Sequence, residues 1–207
     1  MAKLKIYTFP DVVLTQKAKP IARVEKTYYK LADDMLETMY HSPGIGLAAN
    51  QVGILERIIV IDVDFDLHGD DEKDADPALA KNAEVYDSGL ITNKNPRMII
   101  NPVIILQEGT RVFEEGCLSV PEYTAEVKRA DKIKLQYQDI DGLTKTLMAE
   151  GLLATAIQHE IDHLEGKLFI DRLSSLKKDL AKKRLLKERV EREAEEASRF
   201  GAFRGRK

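Results

Sequence analysis

Cysteine is nearly absent: the 207-residue chain holds one, Cys117. An internal disulfide is therefore excluded, and the thiol is left as a buried inert group, a nucleophile or a metal ligand. Long apolar runs are missing as well, since no segment approaches the roughly 18 consecutive apolar residues of a membrane-spanning helix. The opening residues, Met1 to Pro10, lack both the apolar centre of a signal peptide and an Arg/Ser-rich transit pattern. The expected location is the cytoplasm, with no membrane contact. Internal repeats are also lacking. Net charge is small, −3, but unevenly spread. Residues 171–207 carry +6 and residues 1–170 carry −9, so an acidic body ends in a basic tail.

What is present suits one globular unit over residues 1–170, followed by a basic helical extension over 171–207. Tyr28, Leu31, Met35, Leu36 and Met39 recur at helical spacing and predict an amphipathic helix over Val24 to His41, stopped by Pro43 and Gly44. Glu56 to Asp62 is a β-branched run typical of a buried strand. It opens into a stretch with eight acidic residues between Asp62 and Asp76. Residues 64–95 are expected to form a solvated surface insertion, because like charges with few aromatics build no core. Strand signals return at Met98–Leu106, Tyr123–Lys128, Lys132–Gln138 and Thr144–Met148, the last two joined by a turn at Asp141-Gly142. Helices are expected over Gly151 to about Leu164 and over Ser174 to Ser198. The fold class is α+β: antiparallel sheets packed around a central metal-binding helix, with a long C-terminal helix.

Histidine is scarce, four in all, yet two of them stand in His159-Glu160-Ile161-Asp162-His163. On a helix, positions i and i+4 share a face, so both imidazoles can aim at one ion with Glu160 beside it. A catalytic site usually takes a third protein ligand. The metzincin spacing would require a histidine at Phe169, which binds no metal. A carboxylate from the tail, such as Glu188 or Glu191, would complete a zinc-peptidase site of another family. Cys117 is the other candidate, between Gly116, which permits an unusual backbone angle, and Pro121, which stiffens the chain beyond.

Three motifs together resemble the peptide deformylases: Gly44-Ile45-Gly46-Leu47-Ala48-Ala49-Asn50-Gln51, Glu115-Gly116-Cys117-Leu118-Ser119 and Gln158-His159-Glu160-Ile161-Asp162-His163. Their order and separation fit, and the resemblance runs from about Lys3 into the tail. It implies a metallohydrolase that removes the formyl group from N-formylmethionine of nascent peptides. Cys117, His159 and His163 would hold one divalent ion, Fe²⁺ in the cell, with Zn²⁺, Ni²⁺ or Co²⁺ able to substitute. Glu160 would be the general base and acid. The Gln51 amide and the Leu118 backbone N–H would form the oxyanion hole. Gly44, Ile45, Gly46, Phe113, Glu115, Gly116 and Leu152, with His159, would line the substrate pocket and its flanking strand edges. Pro121 and the long C-terminal helix resemble the subtype typical of Gram-negative bacteria.

Two departures are peripheral: the long acidic insertion, and Thr124 where some members carry a substrate-facing Arg. They bear on peptide preference beyond the methionine. The basic tail could dock on the ribosome, or could simply be a solvated helix laced by pairs such as Lys187 with Glu191 and Glu188 with Arg192. A monomer is expected. The alternatives to a deformylase are a zinc peptidase of another family and a binding protein that keeps the deformylase-like fold without catalysis.

Overall fold

The computed structural model describes residues 3–42, 44–68 and 84–204, with the side chains of 193 and 195–204 excepted. Helix α1 (Thr27–Tyr40) leads to strands β1 (Gly46–Ala48) and β2 (Ile58–Ile61). Three short strands follow, β3 (Asp66–His68), β4 (Glu84–Tyr86) and β5 (Gly89–Thr92). Next come β6 (Arg97–Glu108), β7 (Arg111–Cys117), β8 (Val120–Arg129), β9 (Lys132–Gln138) and β10 (Thr144–Glu150). Helices α2 (Gly151–Leu164) and α3 (Ser175–Arg204) complete the chain. The sheets are β1-β2-β6-β9-β10, β3-β5-β4 and the hairpin β7-β8, all antiparallel. Among the described residues no helix is long and apolar enough to cross a membrane.

Strand β2 shows why the core sits where it does. Ile58, Ile59, Val60 and Ile61 are all fully buried because helices cover both faces of the sheet. Alternation sends Ile59 and Ile61 toward Ala154, Ala156, Ile157 and Leu164 of α2. Ile58 and Val60 pack instead with Ala32, Met35 and Met39 of α1. Each such side chain contributes about 1.5–3 kcal/mol of transfer free energy. A third cluster, Leu14, Val120, Val127 and Phe169, receives Ala181 and Leu185 from α3.

The end of α2 is set by Gly166 at φ +69°. Its N–H bonds the His163 carbonyl at 2.9 Å, and the Lys167 N–H bonds the Asp162 carbonyl at 2.9 Å, a Schellman motif. A Cβ here would run into the Thr15 carbonyl oxygen, so the position needs glycine. This lock holds the last turn of α2, which carries His163.

The insertion differs from the expected solvated loop. Residues 69–83 lie outside the described residues, but β3, β5 and β4 form a sheet on either side of them. Tyr86 and Ile91 enter the α1 core cluster. Acidic residues crowd the first half of the segment, whereas Tyr86, Leu90 and Ile91 in the second half are buried. Asp62 itself is fully buried, accepting from the Tyr40 hydroxyl at 2.6 Å and the Asn95 N–H at 2.8 Å. It is a structural carboxylate that ties the entry and exit of the insertion together.

Candidate active site and metal centre

One face of α2, the end of β7 and the segment around β1 enclose a cavity of about 360 Å³. Its walls include Gly44, Ile45 and Gly46 with Gln51, then Phe113, Glu115, Gly116, Cys117 and Leu118, then Leu152, His159 and Glu160. These are the residues singled out in the sequence, and His163 stands behind them, 1% exposed. Glu114, Thr155 and Ala156 also line the cavity and were not anticipated. Helical spacing could have found two of them, since Thr155 and Ala156 lie one turn before His159 and Glu160 on the same face.

Cys117 ends β7, where the register with β8 shifts between Glu115 and Cys117. Gly116 does not have the unusual backbone angle expected of it; the register shift, not a left-handed residue, turns the thiol inward. The sulfur lies 3.2 Å from His163 Nε2. It also accepts the Ser119 N–H at 3.4 Å and the Gln51 amide at 3.6 Å, contacts that suit a thiolate. Ligand atoms of Cys117, His159 and His163 all lie within 4.8 Å of one another, and among the described residues no other group of three or more His, Cys, Asp or Glu could hold a metal. Glu188 is not part of this group and pairs with Arg184 at 2.6 Å, so neither the expected pair with Arg192 nor a zinc-peptidase carboxylate is formed there.

The supporting contacts fit a metal. His159 Nδ1 donates to Glu115 Oε2 at 2.9 Å, which leaves Nε2 for the ion, the usual arrangement of a metal-bound imidazole. Its ring stacks on Phe169 at 6.0 Å. Burial opposes a charge on His159, yet hydrogen bonds with Cys117 and Glu115 push its pKa well above the ordinary value. Burial, and then the charges of His159 and Arg129, push His163 well below its own. A proton shared among such close donors is what a cation would replace.

Glu160 is 4% exposed, and its Oε2 has no hydrogen-bond partner among the described residues. Burial raises its pKa to about 7, with His159 and Arg129 pulling against that rise. Its Oε1 lies so near Gly46 that a Cβ there would approach to 2.6 Å. Gly46 is thus needed for close approach. Gln51 is held by its Oε1, which accepts the Ala48 N–H at 2.8 Å, while its Nε2 donates to Ser119 Oγ at 3.2 Å. That orientation keeps the amide donor beside the sulfur and the cavity.

Beyond these groups lies a buried ion chain that sequence reading missed. Arg129 forks onto Glu115, with Nη2 to Oε2 at 2.8 Å and Nε to Oε1, and sends Nη1 to Asp162 at 2.8 Å. Burial of Glu115 favours its neutral form, but the bonds from Arg129 and His159 outweigh it and lower the pKa.

A family model described as polypeptide deformylase matches residues 3–179. A peptide deformylase of Bartonella tribocorum is 43% identical over 198 residues, covering 95% of this chain and 99% of that protein. One from Nitrosococcus oceani is 43% identical over 202 residues, covering 98% and 100%. Among solved structures, the peptide deformylase of Legionella pneumophila aligns with a TM-score of 0.71 at 35% identity, covering 100% of this chain and 99% of that one. The peptide deformylase of Ehrlichia chaffeensis in complex with actinonin gives 0.73 at 36% identity, covering 91% and 98%. With a cysteine and two histidines converging beside a buried glutamate, and with relatives matched along nearly their whole length, this chain belongs to the polypeptide deformylase family.

Proposed function

We propose that the chain hydrolyses the N-formyl group of N-formylmethionine at the start of nascent polypeptides, giving formate and a free N-terminal methionine. The observation that carries this reading is the convergence of Cys117, His159 and His163 within 4.8 Å at a cavity that Glu160 and Gln51 also line. Cys117, His159 and His163 hold one divalent ion. Such a mixed sulfur and nitrogen set accepts several metals, and Fe²⁺ is the ion assigned by family resemblance. When bound, the ion supplies Lewis acidity and lowers the pKa of water to roughly 7–9.

The chain's own groups do the rest. A Glu160 carboxylate oxygen takes the proton from the attacking water and delivers it to the leaving amine nitrogen, a role worth on the order of 10²- to 10⁴-fold. The Gln51 Nε2–H and the Leu118 N–H donate to the formyl oxygen as negative charge grows on it; losing one such donor costs about 3–4 kcal/mol of transition-state stabilisation. Ile45, Phe113 and Leu152 form the apolar wall for the methionine side chain. The peptide backbone pairs with the chain at Gly44–Gly46 and at Glu115–Cys117, a mode tolerant of downstream sequence.

Residues 1–170 form the catalytic unit, and residues 171–207 a basic extension that can meet ribosomal RNA in the cytoplasm. Formate release from formyl-Met-Ala-Ser by protein prepared anaerobically with Fe²⁺ tests the reaction. Activity is expected in the parent. Cys117→Ala should lose both metal and activity, and Glu160→Ala should lose activity while keeping the metal. An inactive, metal-loaded parent would sink the proposal in favour of a binding role.

A further inference from the structure

The turn Phe169–Arg172 stands between the metal-binding side chains and α3, and it touches both. Asp171 Oδ1 accepts from Lys182 of α3 at 2.9 Å. On the other side, Phe169 stacks on His159. Arg172 forks onto Asp162, Nη2 reaching Oδ1 at 2.6 Å while Nε bonds Oδ2. That same Oδ2 accepts Nη1 of Arg129 at 2.8 Å. A continuous chain therefore runs Arg172, Asp162, Arg129, Glu115, His159, with guanidinium and carboxylate alternating until it reaches the imidazole.

We propose that Arg172 is a positioning residue for the metal centre: its fork neutralises Asp162, so that Arg129 stays committed to Glu115 and Glu115 fixes the ring of His159. The inference rests on the reading that Cys117, His159 and His163 hold the ion. Charge balance carries it. Asp162 and Glu115 are both buried, and with Arg172 present two guanidiniums serve two carboxylates. Without it, one guanidinium serves both, and Arg129 is drawn toward Asp162. Glu115 then loses part of its anchor, and the acceptor that orients His159 is free to shift.

Residues that orient a metal-bound imidazole typically change metal affinity by about 10- to 100-fold when lost. Arg172 acts through three intervening residues, Asp162, Arg129 and Glu115, so the low end, about tenfold, is expected. Its side chain is 42% exposed, so replacing it opens no large cavity. Lysine keeps the charge but not the planar fork, so Arg172→Lys should restore only part of the effect.

The test loads the parent, Arg172→Ala and Arg172→Lys with Co²⁺. Chelator competition reads affinity, the visible ligand-field spectrum reads geometry at the ion, and urea unfolding checks that each variant is folded. Expected are about tenfold weaker Co²⁺ binding with an altered spectrum for Arg172→Ala, and an intermediate result for Arg172→Lys. Parent-like affinity and spectrum in folded variants would overturn the inference, and Arg172→Lys alone decides if the alanine variant does not fold. A parent that takes up no Co²⁺ would instead overturn the metal-site reading.

Discussion

Helices α2 and α3 both carry ion pairs, and they use them in opposite ways. Asp162 on α2 is 5% exposed and meets two arginines from elsewhere in the chain. On α3, Lys187 and Glu191 pair at 3.6 Å with side chains 78% and 59% exposed. The first set sits in a low-dielectric interior where geometry is enforced and any unpaired member is costly. The second lies in water, where screening and side-chain entropy consume most of the attraction. Ion pairs organise the molecule where the fold has already excluded solvent, and here that place is behind Cys117, His159 and His163, the group that could hold a metal.

Breaking the buried set should have the largest effect. Arg129→Ala strands Glu115 and Asp162 without their common partner and is expected to lower stability by about 3–5 kcal/mol, read from urea unfolding. Acid sharpens the point. The folded Glu115 has a pKa below its ordinary value because Arg129 and His159 outweigh burial, so its contribution is present above the unfolded carboxylate pKa and is lost as pH falls through the folded one. The gap between parent and variant should narrow as pH drops below about 4. A gap that stays constant from neutral pH into that range would show that lost packing, not charge, dominates.

The same contrast explains what could be read in the sequence. His159 and His163 were legible because helical spacing alone puts them on one face. Strands β6, β8, β9 and β10 were legible from their β-branched and alternating residues. Strand β7 was not, because Arg111–Cys117 holds two glutamates and a glycine and looks polar; its Phe113 and Glu115 point toward functions no periodicity encodes. Strand β1 is three residues long and was hidden for that reason. Arg129 and Arg172 were invisible as a pair, since each meets its carboxylate across an interval of sequence with no repeating signal: Arg129 lies 14 residues from Glu115 and 33 from Asp162. The insertion sheet was masked by the acidic run, within which its first strand, β3, lies.

Within α3, burial separates residues of the same type. Leu185 is 2% exposed and packs among Leu14, Val127 and Phe169, whereas Leu180 is 58% exposed. Leu185→Ala should cost about 2–4 kcal/mol through lost transfer energy and a cavity. Leu180→Ala should change stability by no more than about 0.5 kcal/mol. Equal losses in thermal unfolding would mean that α3 is not docked through this face. The result bears on the extension as a whole, because Leu185 and Ala181 supply its deepest contacts with the body.

The smallest stability effect is expected on the outer side of α3. Replacing both Lys183 and Lys187 by glutamate removes the Glu191 pair and reverses two charges, yet these positions are in water, so Tm should move by less than about 3 °C and less still at high salt. The same substitutions should weaken co-sedimentation with ribosomes at low salt, because reversing charge acts on a polyanionic partner over the Debye length whatever it does to folding. Stability and binding are thereby uncoupled in one variant. Unchanged co-sedimentation with an unchanged Tm would assign the tail's positive charge to solubility, and would leave the buried chain at α2 as the place where this protein's charges act on its function.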